Sequence, residues 1–174
     1  QAQDYDNWAQ MGNRGWSYQD VLPLFRKMES YEAGSDDLRG RDGPLQVRDT
    51  PRNQVPLLEK MIQAAGQNDL PFNEDLNGET QEGIGMSQVT IAKGRRQSTA
   101  FCYLDPARSR QNLTIEQGAM AESLILEGKQ CVGVRYSING VQREARAIRE
   151  VIVSGGSINS PKLLELSGIG QPDF

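Results

Sequence analysis

The rhythm of apolar positions along this chain changes near residue 112. Before that point apolar residues fall in helix-spaced groups divided by long polar loops; after it they alternate or run consecutively, as strands do. Val21, Leu22, Leu24, Phe25 and Met28 share one face of a helix. Ser17 and Asp20 have the spacing of a capping box, Asp20 is a second candidate cap, and Pro23 is expected in the first turn. "PLQVR" (44–48) reads as a short strand. A second helix is expected behind a cap at Asn53, with Leu57, Leu58, Met61, Ile62 and Ala65 inward and Gly66 as its stop. "LPFNEDLNGETQEGIG" (70–85) is a long acidic loop. "MSQVTIAKGRRQS" predicts a strand and a turn, and "TAFCYLDPARSR" a short helix ending near Pro106.

The C-terminal third predicts strand after strand. Leu124 and Leu126 alternate, as do Val132, Val134 and Tyr136. Gly128 marks one turn, and Asn139-Gly140 is the strongest short hairpin signal available. The expected result is a three-stranded meander between two buried strands, "LTIE" and "VIVS". Val151, Ile152 and Val153 are consecutive and β-branched, which suits a strand covered on both faces of a parallel sheet.

"VIVSGGSINSPKLLELSGIG" (151–170) then joins a strand to a helix through two glycines. A Ser-Gly-Gly turn lets a ligand approach the backbone with no Cβ in the way. Ser160 is expected to cap the helix with Pro161 as its first residue, and helix N-termini attract anions. The dinucleotide fingerprint G-x-G-x-x-G is not met, because Ser157 stands where the second glycine belongs. On local pattern alone an ordinary strand-to-helix turn is the better reading.

Composition narrows the function. The chain has 174 residues, 37% of them hydrophobic, and a net charge of −4. No clustered basic stripe exists, which argues against nucleic acid. No apolar run approaches the roughly 20 residues of a membrane span, and the first residues lack a signal-peptide core. Cys102 and Cys131 have no metal-ligand spacing and read as two buried free thiols of a reducing compartment. There is no histidine, so no mechanism needing an imidazole base can be completed by these residues alone.

Three other groups carry possible chemistry. Asp75, Glu79 and Glu82 could form an acid/base pair or a cation site, but calcium-loop spacing is missing and a solvated loop is the simpler reading. Arg95 and Arg96 before Ser98 could clamp a phosphate, or be surface charges ahead of a helix that Ser98 caps. Trp8, Trp16 and Tyr18 could stack on a ring system, or pack an extended lid onto the body.

Gly156-Ser157-Ile158-Asn159-Ser160-Pro161-Lys162-Leu163-Leu164-Glu165-Leu166-Ser167-Gly168-Ile169-Gly170 resembles the second signature of the glucose–methanol–choline (GMC) oxidoreductases. "DYDNWAQMGNRGWSYQDVLPLFRKME", "DLNGETQEGIG" and "GRRQSTAFCYLDPA" occur in the same order in choline-dehydrogenase-like members. The resemblance implies an α/β fold, α+β in the piece at hand. Residues 1–43 would be an aromatic lid or connecting segment with a helix. Residues 44–107 would be part of a mixed-sheet substrate domain, and 108–174 part of an FAD-binding domain with the meander.

The resemblance further implies an enzyme that passes hydride from a small or medium primary alcohol to FAD, with a separate electron acceptor as its second partner, and a cofactor wall at Ser154, Gly155 and Gly156. It places Ala121 where a backbone meets the flavin's adenine. The family's catalytic His and its G-x-G-x-x-G lie outside these residues, so the chain is expected to be an internal segment, inactive alone, with no catalytic residue and no metal. A cytoplasmic setting, or one peripheral to the inner face of a membrane, is expected. Leu113–Ile115 and Val151–Val153 are expected to present exposed edges that favour self-association. Two alternatives stay open: a cofactor-free binding domain derived from a substrate lobe, and a different nucleotide-binding flavoprotein. The encoding frame and an FAD titration separate them.

Overall fold

In a computed structural model the described residues are 1–52 and 55–171. They form two compact units, Gln1–Leu113 and Thr114–Phe174.

The first unit opens with α1 (Ala2–Gln10) and α2 (Tyr18–Met28). Helix α1 is not announced by the hydrophobic pattern, because none of its residues is buried. Its order comes from rings: Tyr5 meets Trp8 and Phe25 edge-on at 5.5 and 5.8 Å, and Trp8 meets Trp16 at 5.7 Å. The capping box of α2 is present, with the Asp20 amide donating to Ser17 Oγ and the Ser17 amide to Asp20 Oδ2. Asp6 of α1 also accepts from the Tyr18 amide at 3.0 Å, which ties the two helices. Because Ser17 is the cap, Pro23 falls in the helix interior rather than the first turn. The Gln19 carbonyl therefore lacks a helical donor. Of the predicted apolar face only Val21 is buried; Leu24, Phe25 and Met28 remain exposed.

Strand β1 (Glu29–Tyr31) follows α2 directly and pairs in parallel with β2 (Leu45–Val47). The connection between them is threaded tightly. A Cβ on Gly40 would lie 1.9 Å from the Arg26 carbonyl oxygen, so only glycine fits there. Asn53 lies outside the described residues; α3 (Pro56–Gly66) starts with Val55 at its cap and Pro56 in its first turn. Ile62 is buried and Leu58 and Ala65 are half-buried, while Leu57 and Met61 face solvent.

The 70–85 loop closes on itself through a parallel bridge of Phe72 with Ile84, and Arg48 pairs with Val89. A small hairpin, β3 (Ile91–Ala92) with β4 (Arg95–Arg96), turns through Lys93 and Gly94, both at positive φ. A single π-helical turn at Ala100–Leu104 runs into α4 (Asp105–Ala107). Pro106 is therefore within the helix rather than at its end. Its position in the first turn of α4 leaves no donor missing.

The second unit is the expected antiparallel meander, β5 (Met120–Glu127), β6 (Gln130–Ile138) and β7 (Val141–Arg146). Asn139 and Gly140 both take positive φ, as a two-residue type I′ hairpin requires, and Gly128 does so at the other turn. Leu124 and Ile125 form its core. Cys102 is buried as expected, but Cys131, on β6, is only half-buried.

Helix α5 (Gly156–Leu166) packs on β5. It starts four residues before the expected cap at Ser160, and Pro161 is interior. The Ser160 hydroxyl instead accepts from the Gly155 amide at 2.9 Å, one turn back. The helix ends as the Ser-Gly-Ile spacing demands. Gly168 takes φ +78°, its amide donates to the Glu165 carbonyl, and the Ile169 amide to that of Leu164. Ser167 accepts from the Leu124 amide at 2.7 Å and donates to the Leu163 carbonyl at 2.6 Å, so the helix stop is also the fastening to β5.

The segments 113–116 and 151–154 form no strand among the described residues. A strand exists through its ladder, and neither segment has a partner here. Ile152 is 78% exposed.

Candidate functional site

Each of the proposed cofactor-wall residues lies in the second unit and is solvent-exposed. Gly156 takes φ +87°, and a Cβ built there would meet nothing within 4 Å, so the turn presents bare backbone to open space. The amides that follow, at the start of α5, lack intrahelical acceptors, as every helix N-terminus does. A ligand can therefore approach the backbone at Gly156 without displacing a side chain.

Ala121 pairs with Tyr136 at a register shift in β5, between Ala121 and Ser123. It is exposed. A bulge frees backbone groups from the ladder, and a methyl side chain leaves them approachable. Among the described residues no hydrogen bond joins Ala121 to the 154–156 turn.

The first unit holds a cavity of about 1160 Å³. On one side it is walled by α1 and α2, through Tyr5, Asp6, Tyr18, Leu22 and Phe25. The other wall is Asn77–Glu82. Glu79 and Glu82 thus stand on a cavity wall, whereas Asp75 sits behind it in a buried network. No group of three or more Asp, Glu or Cys among the described residues is arranged to hold a metal ion.

That network centres on a residue the sequence did not single out. Arg39 is 4% exposed. It forks onto Glu29 at 2.9 and 2.5 Å and donates to Asp75 at 2.6 Å and to Gln88 at 3.1 Å. Its guanidinium also stacks on the Tyr31 ring at 4.0 Å. Burial opposes the charge of Arg39, but the hydrogen bonds and charges of Glu29 and Asp75 outweigh it and hold its pKa above the ordinary value. Burial, then the hydrogen bond to Asp49 and the nearby carboxylates, push the Tyr31 phenol up to about 12. In "EAGSDDLRGRDG" Arg39 looks like any solvated loop arginine; the only available hint was the Gly that follows it.

The remaining candidates take structural roles. Arg95 lies over the Phe101 ring at 4.1 Å, and the Phe101 amide donates to Ser98 Oγ, so Ser98 is a cap. Trp8 and Trp16 form part of the ring cluster between α1 and α2, and Tyr18 faces the cavity. No helix among the described residues is long and apolar enough to cross a membrane.

A family model described as GMC oxidoreductase matches residues 1–173. Mitochondrial choline dehydrogenase of Mus musculus is 46% identical over 172 residues, which cover 99% of this chain and 29% of that protein. Among solved structures, a pyridoxine 4-oxidase from Mesorbium loti superposes with a TM-score of 0.82 at 32% identity, over 99% of this chain and 34% of that one. An FAD-dependent oxidoreductase from Chaetomium thermophilum gives 0.85 at 28% identity, over 98% and 32%. The chain thus spans about a third of the length of the proteins it matches.

Proposed function

The chain belongs to the GMC oxidoreductase family, and from that premise we propose that it is part of an FAD-dependent enzyme that oxidises a small primary alcohol, choline or a related one, to the aldehyde. The observation that carries this is the 46% identity to a choline dehydrogenase along 99% of the chain. FAD, when bound, supplies acceptance of the hydride that leaves the alcohol carbon.

The chain's own residues do the holding. Ser154, Gly155 and Gly156 offer backbone for one wall of the cofactor, and Ala121 offers backbone for its adenine end. Residues 44–107 contribute to the substrate domain, where the loop 77–82 shapes the space the alcohol enters. These residues include no histidine, so an imidazole base for the hydroxyl proton is not among them.

The full-length parent protein tests the proposal. Purified, it should carry bound flavin, and anaerobic addition of choline should bleach the oxidised-flavin band. A colourless protein, or a flavin that no primary alcohol bleaches, would overturn it. The 174-residue chain by itself should bind FAD weakly and turn over no alcohol with an artificial electron acceptor.

A further inference from the structure

The two walls of the cavity in the first unit are fastened to one guanidinium. On one side Arg39 forks bidentately onto Glu29, the residue that ends α2 and begins β1. On the other it donates to Asp75 Oδ1 at 2.6 Å and to Gln88 Oε1 at 3.1 Å. Those two acceptors hold the loop wall directly: the Asn77 amide donates to Asp75 Oδ1 at 3.0 Å, and Asn77 Nδ2 to Gln88 Oε1 at 2.9 Å. The Gly78 amide adds a bond to the Asp75 carbonyl at 2.9 Å. The 77–82 segment has no secondary structure to fix it. It is tied to its own base by Asn73, which donates to the Thr80 and Glu82 carbonyls. Its ties toward α2 and β1 run through Arg39 and through Gln88, whose Nε2 also donates to the Tyr31 hydroxyl of β1 at 3.0 Å; of the two, only Arg39 reaches the end of α2, at Glu29.

We propose that Arg39 is a positioning residue that sets the separation between α2 and the Asn77–Glu82 wall, and thereby the fit of substrate in the cavity. The proposal rests on the reading of this cavity as the substrate side of an alcohol oxidoreductase. A planar fork with donors on two edges can hold carboxylates on both sides at once; a lysine, with one compact charge, cannot hold the same span. Arg41 provides the contrast. It donates to the backbone carbonyls of Tyr31, Ala33 and Gly34 and pairs with Asp36, but it makes no bond to the 73–88 segment and does not line the cavity.

The test uses the full-length parent and steady-state kinetics with choline and a shorter and a longer primary alcohol. Arg39→Lys should raise KM by about tenfold or more while kcat changes less than about threefold, and the KM ratios among the three alcohols should shift. Arg39→Met should do the same more strongly. Arg41→Lys should lower the melting temperature and leave KM unchanged. Should Arg39→Met not fold, Asp75→Asn, which keeps the side-chain shape and removes the charge, should give the same KM rise. Folded, flavin-loaded Arg39→Lys and Asp75→Asn proteins with unaltered KM and unaltered ratios would overturn the proposal.

If the wild-type parent oxidises no alcohol, the functional reading fails on its own, and amide exchange then decides the positioning role. Arg39→Lys should speed exchange at Asn77 and Gly78 about tenfold while α2 exchanges as before. Unchanged exchange at those two amides would overturn it.

Discussion

Tyr31 shows how one residue can report on a buried network. Its ring supports the Arg39 guanidinium, its hydroxyl donates to Asp49 at 2.7 Å, and it accepts from Gln88 at 3.0 Å. With the phenol pushed from 10.0 to about 12, the folded chain holds the proton more tightly than the unfolded chain does. Its share of stability is therefore complete below pH 10 and is lost as the pH rises toward 12. The urea midpoint of the wild-type chain should fall more steeply across that interval than that of Tyr31→Phe, which starts lower but lacks the titration. Parallel profiles would show that the phenol is not held as the structure has it. None of this could be read from "MESYEAG", because Tyr31 meets Gln88 across 57 positions of sequence. A loop arginine and a distant glutamine carry no periodic signal.

Local elements were legible wherever the cause was local. Ser17 with Asp20, Asn139 with Gly140, and the Ser-Gly-Ile stop of α5 each impose a backbone geometry through neighbours a few residues away, and each is present. Readings failed where a local cue competed with a neighbour. Ser-Pro looked like the start of α5, but Ser160 caps backward onto Gly155, and the helix begins before it. Strands 113–116 and 151–154 failed because a strand needs partners that local sequence does not contain. The α5 stop yields a prediction at this scale. In Ser167→Ala the Leu124 amide loses its acceptor and the Leu163 carbonyl loses a donor, so the chain should lose about 1–3 kcal/mol of unfolding free energy. Ser167→Thr, which retains the hydroxyl, should lose less. Equal losses in chemical denaturation would mean that the hydroxyl is not the fastening.

At the scale of the whole molecule the surface is larger than a chain of this mass needs. The accessible area is 13621 Å². Size scaling gives about 8,500 Å² for one compact body of this mass, and about 10,000 Å² for the two units taken separately. The excess is apolar in part: Ile148, Ile152, Ile158 and Met11 are each at least 78% exposed. The meander's free edge is guarded differently. On β7, Gln142, Arg143, Glu144 and Arg146 are polar or charged, which discourages pairing. Self-association of the 174-residue chain should therefore run through 113–115 and 151–153. Light scattering should show a mass that rises with concentration, and Ile152→Lys should reduce that rise; a concentration-independent monomer would contradict it. The small buried core, in which no large side chain among the described residues is fully enclosed, has a calorimetric consequence as well. Unfolding would newly hydrate little apolar area, so its heat-capacity increment should fall below the usual ~12–15 cal/mol/K per residue. The stability curve of the isolated chain is then shallow, and warming and cooling alter its folded population only gradually.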